Sequence, residues 1–241
     1  AASTYGATYD VKVCGKVAID FADTNVGEDF WTDEDDKPAR GIWIHIKNIT
    51  TQATVWEGWT PWNGSDKGCA PVQQLDSATE YGVQLHSKAQ VDDHYILSYR
   101  ENGELRVAYR SFTPTASGTE NVSTNVTDVW NNFAVGIRAL SRKSIEMEDQ
   151  SSMIIRMNDT YCCGNKTGPC LCGDDGELYL DSLPNKFQIA HEIGHFVGYA
   201  RDGYNTPALD YDAPPNTCYG SYFYHTFNEK EYQSAAAVEG W

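Results

Sequence analysis

The chain has 241 residues, with 18 Lys and Arg against 34 Asp and Glu and a formal net charge of -16. That surplus repels phosphate backbones and anionic headgroups, which excludes nucleic acid and acidic membrane surfaces as natural partners. With 41 % hydrophobic residues, 22 % charged residues and no apolar run near the roughly 18 residues of a membrane span, the composition is that of a soluble globular protein without a membrane span.

In chain order, residues 10–112 carry period-two patterns and no lasting helical period. Val11 and Val13 alternate with polar neighbours, Ile42, Ile44 and Ile46 alternate with Trp43, His45 and Lys47, and Tyr81, Val83 and Leu85 repeat the pattern. The runs 95–100 and 105–112 flank Glu101-Asn102-Gly103-Glu104, a strong hairpin signal. These features predict an antiparallel β-sandwich over residues 1–115. The acidic run Asp33-Glu34-Asp35-Asp36 reads as a solvated loop and as a candidate Ca2+ site, without the spaced ligands of an EF-hand. Trp56, Trp59 and Trp62 fall in one hairpin, where rings of this kind fill a sandwich core or rim, or stack on sugars.

Residues 113–127 are Thr, Ser, Asn, Gly and Pro with almost nothing apolar, the composition of an exposed linker. A domain boundary is expected there, with the second domain over residues 116–241. That domain opens on Trp130, Phe133, Ala134, Ile137 and Leu140, whose spacing predicts an amphipathic helix capped by Asn125 or Thr127. Met153-Ile154-Ile155 and Leu178-Tyr179-Leu180 predict short strands around a cysteine-rich loop. A second helix is expected after Ser182 or Asn185, with Pro184 in its first turn and Gly203 as its stop. The segment 228–241 is rich in helix formers and predicts a last helix.

There are seven cysteines, and the chain begins at Ala1 as a processed mature protein would. Both facts fit a secreted protein with disulfides. Cys162, Cys163, Cys170, Cys172 and Cys218 crowd the second half, which leaves Cys14 and Cys69 as a candidate pair in the first. A structural zinc cluster of Cys162, Cys163, Cys170 and Cys172 is the rival, against which stand the splaying of adjacent cysteines and the absence of paired CxxC knuckles. Six Asn-x-Ser/Thr sequons, at Asn48, Asn63, Asn121, Asn125, Asn158 and Asn165, permit glycosylation in a eukaryotic source.

The segment His191-Glu192-Ile193-Gly194-His195 carries the sharpest chemical signal. At about 3.6 residues per helical turn, His191 and His195 share one face and can reach one ion, while Glu192 flanks it as a base for bound water. This motif resembles the zincin metallopeptidases. Arg201 stands where metzincins place a third histidine, and no methionine follows Met157. The run Ala235-Ala236-Ala237-Val238-Glu239-Gly240 is instead similar to the second helix of thermolysin-like gluzincins. The resemblance implies a Zn2+ site of His191, His195 and Glu239, with Asp202 as the alternative third ligand and Glu231 as a weaker one.

It also implies a secreted endopeptidase in which zinc-bound water attacks the peptide bond and Glu192 is the catalytic general base. Tyr219, Tyr222, Tyr224 and His225 are candidates for the oxyanion donor, and 153–156 or 178–181 for the edge strand that pairs with a peptide or protein substrate. The first domain resembles transthyretin-like or carboxypeptidase-regulatory-like sandwiches through Val13-Cys14-Gly15-Lys16-Val17 and Trp56-Glu57-Gly58-Trp59-Thr60. The expected fold is therefore α+β in two domains, a sandwich followed by a zincin-like catalytic domain. The second functional reading is a non-catalytic structural or adhesive extracellular protein that retains the zincin fold.

Overall fold

The computed structural model describes residues 6–19, 34–91, 95–101, 103–124, 130, 133–134, 136–137, 140, 152–157, 170–172 and 177–180. The strands, in chain order, are β1 (Thr8–Ile19), β2 (Glu34–Pro38), β3 (Ile42–Asn48), β4 (Thr54–Trp59), β5 (Gln73–Asp76), β6 (Tyr81–Val91), β7 (Tyr95–Glu101), β8 (Glu104–Leu105), β9 (Val107–Phe112), β10 (Gly118–Ser123), β11 (Ser152–Met157), β12 (Cys170–Cys172) and β13 (Glu177–Leu180). They form two sheets. In the smaller one, β1 is the spine: it runs parallel to β10 from Val11↔Gly118 to Lys16↔Ser123, and antiparallel to β5 and then β2 along its other edge. The larger sheet has the order β12-β13-β11-β7-β6-β3-β4, with β8 on β7 and β9 on β6.

Alternation decides which face is buried. Ile42, Ile44 and Ile46 of β3 and Val83, Leu85 and Ala89 of β6 are fully buried, and they share one core with Val11, Val13 and Val17 of β1. Gly15 sits among these valines because a Cβ there would come within 3.2 Å of both Ile42 Cγ2 and Leu85 Cδ2. A larger residue would make Ile42 and Leu85 give way, since packed interiors leave little slack for added atoms. Two further ties join the sheets. Arg110 of β9 donates to the Asn121 carbonyl at 2.9 Å and pairs with Glu120 at 3.3 Å, both in β10. The Tyr81 hydroxyl accepts from the Asp76 amide at 3.0 Å.

Strand β6 serves two partners on one edge, β9 over Tyr81–His86 and β7 over Lys88–Val91. Ser87 stands where the partner changes. It is fully buried, its hydroxyl donates to the Tyr99 carbonyl at 2.6 Å and accepts from the Arg106 amide at 2.9 Å, and its own amide bonds the Arg106 carbonyl. The serine thus supplies two bonds that the ladder loses at the switch. Ser87→Ala removes both hydroxyl bonds from a fully buried position and is expected to cost about 1–3 kcal/mol of stability, read as a lower urea midpoint at unchanged slope.

Cys14 and Cys69 are disulfide-bonded, with Cα atoms 4.0 Å apart across an isolated antiparallel bridge. Bonds from the Gly15 amide to the Gly68 carbonyl and from the Ala70 amide to the Val13 carbonyl flank the pair. Its sequence separation is 55, so the chain-entropy relation gives a contribution of about 4 kcal/mol. Replacing both cysteines by serine is expected to lower unfolding free energy by that amount in urea titration, and a change near zero contradicts the assignment.

Several expectations need correction. The polar run 113–127 contains β10, a strand whose sole fully buried side chain is Val122. Pairing with β1 overrides its linker composition. Residues 105–112 do not continue a hairpin with β7: only Glu104–Leu105 pair there, and β9 crosses to β6. Strands form at both 152–157 and 177–180, but neither is an edge, because β11 lies between β7 and β13 and the edge is β12. Glu34–Pro38 is extended strand β2 rather than an ion-wrapping loop, which removes the basis for Ca2+ at 33–36.

The α+β fold with a zincin-like catalytic domain is also corrected. The described residues are mostly strand, the helical ones falling at positions 130, 133, 134, 136, 137 and 140. The nine-stranded sheet takes strands from both sides of residue 115. Trp130, Phe133, Ala134, Ile137 and Leu140 are helical and buried as their spacing predicts, and they belong to the same core cluster as the strands.

Candidate functional site

The residues that bury Ile42, Ile44 and Ile46 turn their neighbours outward, so the opposite face of β4, β3, β6 and β9 collects the chemistry. Register places Glu57, His45, Gln84 and Tyr109 in one row across four strands, and Trp59, Trp43, His86 and Val107 in the next. Lys88 follows His86 on the same face.

The second row ends in a closed cluster. Trp43 and Trp59 meet edge to face with centroids 4.8 Å apart, and Lys88 Nζ lies 4.1 Å from the Trp43 centroid and 5.0 Å from that of Trp59. The quadrupoles of both rings attract the ammonium. Burial lowers the Lys88 pKa from its ordinary value, and nearby Glu57 opposes that shift.

In the first row, His45 Nδ1 is 3.1 Å from Gln84 Oε1 and Nε2 is 3.0 Å from Thr54 Oγ1. An amide oxygen only accepts, so Nδ1 carries the hydrogen and Nε2 accepts from the threonine hydroxyl. That arrangement occupies both ring nitrogens and fixes the Gln84 amide. Glu57, the Gln84 amide nitrogen and the Tyr109 hydroxyl have no hydrogen-bond partner among the described residues. Tyr109 is 55 % exposed and Val107 43 %.

Gly82 lies opposite Ser111, two residues along β6 from Gln84 and on the same face. A Cβ on Gly82 would fall 2.9 Å from Tyr109 Cε2 and 3.0 Å from its hydroxyl oxygen. The missing side chain is the seat of the tyrosine ring. None of this was legible from the tryptophan hairpin alone. Trp62 is buried in the core, Trp56 packs partly against it, and only Trp59 joins the outer face.

His191, Glu192, His195, Asp202, Glu231 and Glu239 lie outside the described residues, as do Tyr219, Tyr222, Tyr224 and His225. Among the described residues no group of three or more His, Cys, Asp or Glu side chains is placed to hold a metal ion. Also among them, no helix is long and apolar enough to cross a membrane.

Neither a protein-family profile nor a curated protein matches the chain. Among solved structures it is similar to the N-terminal domain of the shaft pilin SpaA from Lactobacillus rhamnosus GG, at 19 % identity and a TM-score of 0.28, covering 50 % of this chain and 96 % of that one. It is also similar to the longer shaft pilin SpaA of the same organism, at 18 % identity and a TM-score of 0.25, covering 49 % of each chain. At these values the likeness carries no argument about activity. None of the three comparisons gives a metallopeptidase. The zincin resemblance, the peptidase activity and the Zn2+ cofactor are therefore corrected and not carried forward. Among the described residues the strands form two sheets, the larger with an aromatic and polar outer face.

His86 gives a pH test of that face. Burial lowers its pKa from the ordinary 6.5, with Lys88 and then His45 adding to the shift and Glu57 opposing it. The neutral ring is therefore favoured in the fold, and its contribution is present above the unfolded value and lost as pH falls through the folded one. Stability is expected to decline on acidification from about pH 7 to about pH 5, with His86→Gln flattening part of that decline in urea midpoints. Identical pH profiles for the two proteins contradict the assignment.

Proposed function

We propose that this chain is a non-catalytic structural or adhesive protein of the extracellular space. The observation that carries the reading is the outer face of β4-β3-β6-β9. Its side chains are held in place by cross-strand bonds such as Gln84–His45–Thr54, an arrangement suited to recognition. The Cys14–Cys69 disulfide supports an oxidising compartment, because reducing pools keep such thiols apart in the cytosol. The strong negative charge suits a surface protein that stays soluble and does not collect nucleic acid.

Two measurements test the proposal together. Protein taken from its native source is expected to yield the Cys14–Cys69 peptide in oxidised form by mass spectrometry, and antibody labelling of intact cells or their matrix is expected to find the chain outside. The purified protein is expected to leave an unfolded protein uncut. Reduced cysteines with an internal location, or steady cleavage, would sink the reading.

A further inference from the structure

Three groups on the outer face lack a hydrogen-bond partner among the described residues: the Glu57 carboxylate, the Gln84 amide nitrogen and the Tyr109 hydroxyl. They stand in one row across β4, β6 and β9, with His45 of β3 between Glu57 and Gln84. One accepts, one donates, and one does both. Beside them lies an exposed ring, Tyr109, whose phenol end is seated in the space that Gly82 leaves open. The Trp43 and Trp59 rings are already taken by Lys88, so the free aromatic surface of the row is the tyrosine.

We infer that this row binds a neutral saccharide, with one pyranose ring laid against Tyr109 and bonded to Gln84, and a later unit of the same glycan bonded to Glu57 at the far end of the row. A sugar ring offers what the row asks for: a face of C–H groups to lie on an aromatic ring, and at its rim hydroxyls that donate and accept at once. Adjacent strands are about 4.8 Å apart, close to the length of one unit in a linear glycan, so the row has room for more than one unit. An extended peptide would pair with a sheet edge and not lie across its face. A phosphate chain would meet the net charge of -16. Two features keep the row ready before binding. His45 fixes the Gln84 amide from one side, and Gly82 fixes the tyrosine from below, so little side-chain freedom is lost when the ligand arrives.

The inference rests on the adhesive reading and names the class of ligand for it. Calorimetric titration of the full chain with cellohexaose, chitohexaose, mannohexaose and a hyaluronan hexasaccharide tests it. At least one neutral probe is expected to bind weakly, with a dissociation constant on the order of 1 mM or below. Tyr109→Ala is expected to weaken that binding by roughly tenfold while the protein stays folded with only a modest drop in melting temperature, because the ring is more than half exposed. Gly82→Ala is a second probe: it keeps the phenol but displaces it, since the atoms it meets are the free end of a side chain, and is expected to weaken binding in the same direction.

Failure of all three neutral probes overturns the inference, as does unchanged affinity in Tyr109→Ala. Binding of hyaluronan alone, abolished by salt, also overturns it and assigns the face to charge on Lys47 and Lys88. Each of these results leaves the adhesive reading to its own test of location, disulfide state and cleavage.

Discussion

The close approach of β1 to β3 and β6 is the constraint on which the described structure depends. At Gly15 the two sheets come so near that even a Cβ would press on Ile42 and Leu85. Once that contact is made, the valines of β1 and the isoleucines of β3 have no other place than the shared core. A shift of either strand by one residue would turn apolar side chains to water and bring Trp43, His45 and Lys47 inward. The outer face is therefore a product of the inner one. Its row of Glu57, His45, Gln84 and Tyr109 exists because the register that buries the isoleucines is fixed.

The strand ladder is not uniform, and its irregular points carry specific chemistry. Where β6 changes partner, Ser87 replaces missing ladder bonds with its hydroxyl. Where β1 needs a neighbour between β5 and β2, the Cys14–Cys69 bridge supplies one. Both places are buried polar or covalent joints within a β architecture, and each lets one long strand pair with two short ones. This is how the 13 strands of the described residues, uneven in length, form two sheets.

Alternation made the β character of β3 and β6 legible, and helical spacing did the same for Trp130, Phe133, Ala134, Ile137 and Leu140, because both patterns are local and follow from burying one side of an element. The partners of those elements were not local. The polar composition of 118–123 hid β10, which β1 recruits by main-chain bonds that composition does not report. The Asn-Gly turn marked the end of β7 correctly but not the fate of the returning chain, which β6 captures. The outer site was half visible. Trp43, His45 and Lys47 stood out as the polar side of a strand, while Gln84 and Tyr109 became their neighbours only through register. The HEIGH segment shows the opposite case: a motif with sharp local chemistry, resembling a family that none of the comparisons with known proteins gives.

A protein exposed to shear or to traction between surfaces is stretched along its chain, and there the Cys14–Cys69 link takes on another meaning. Tension applied outside the two cysteines passes through the sulfur atoms and bypasses the intervening segment. With a separation of 55, the slack withheld from extension is about 190 Å of backbone contour. Strands β2 to β4, which include the Trp59, Glu57 and His45 side of the outer face, lie inside that bypassed length. The link therefore acts as a strain limiter: the chain can lengthen elsewhere under load before that part of the face is pulled out straight.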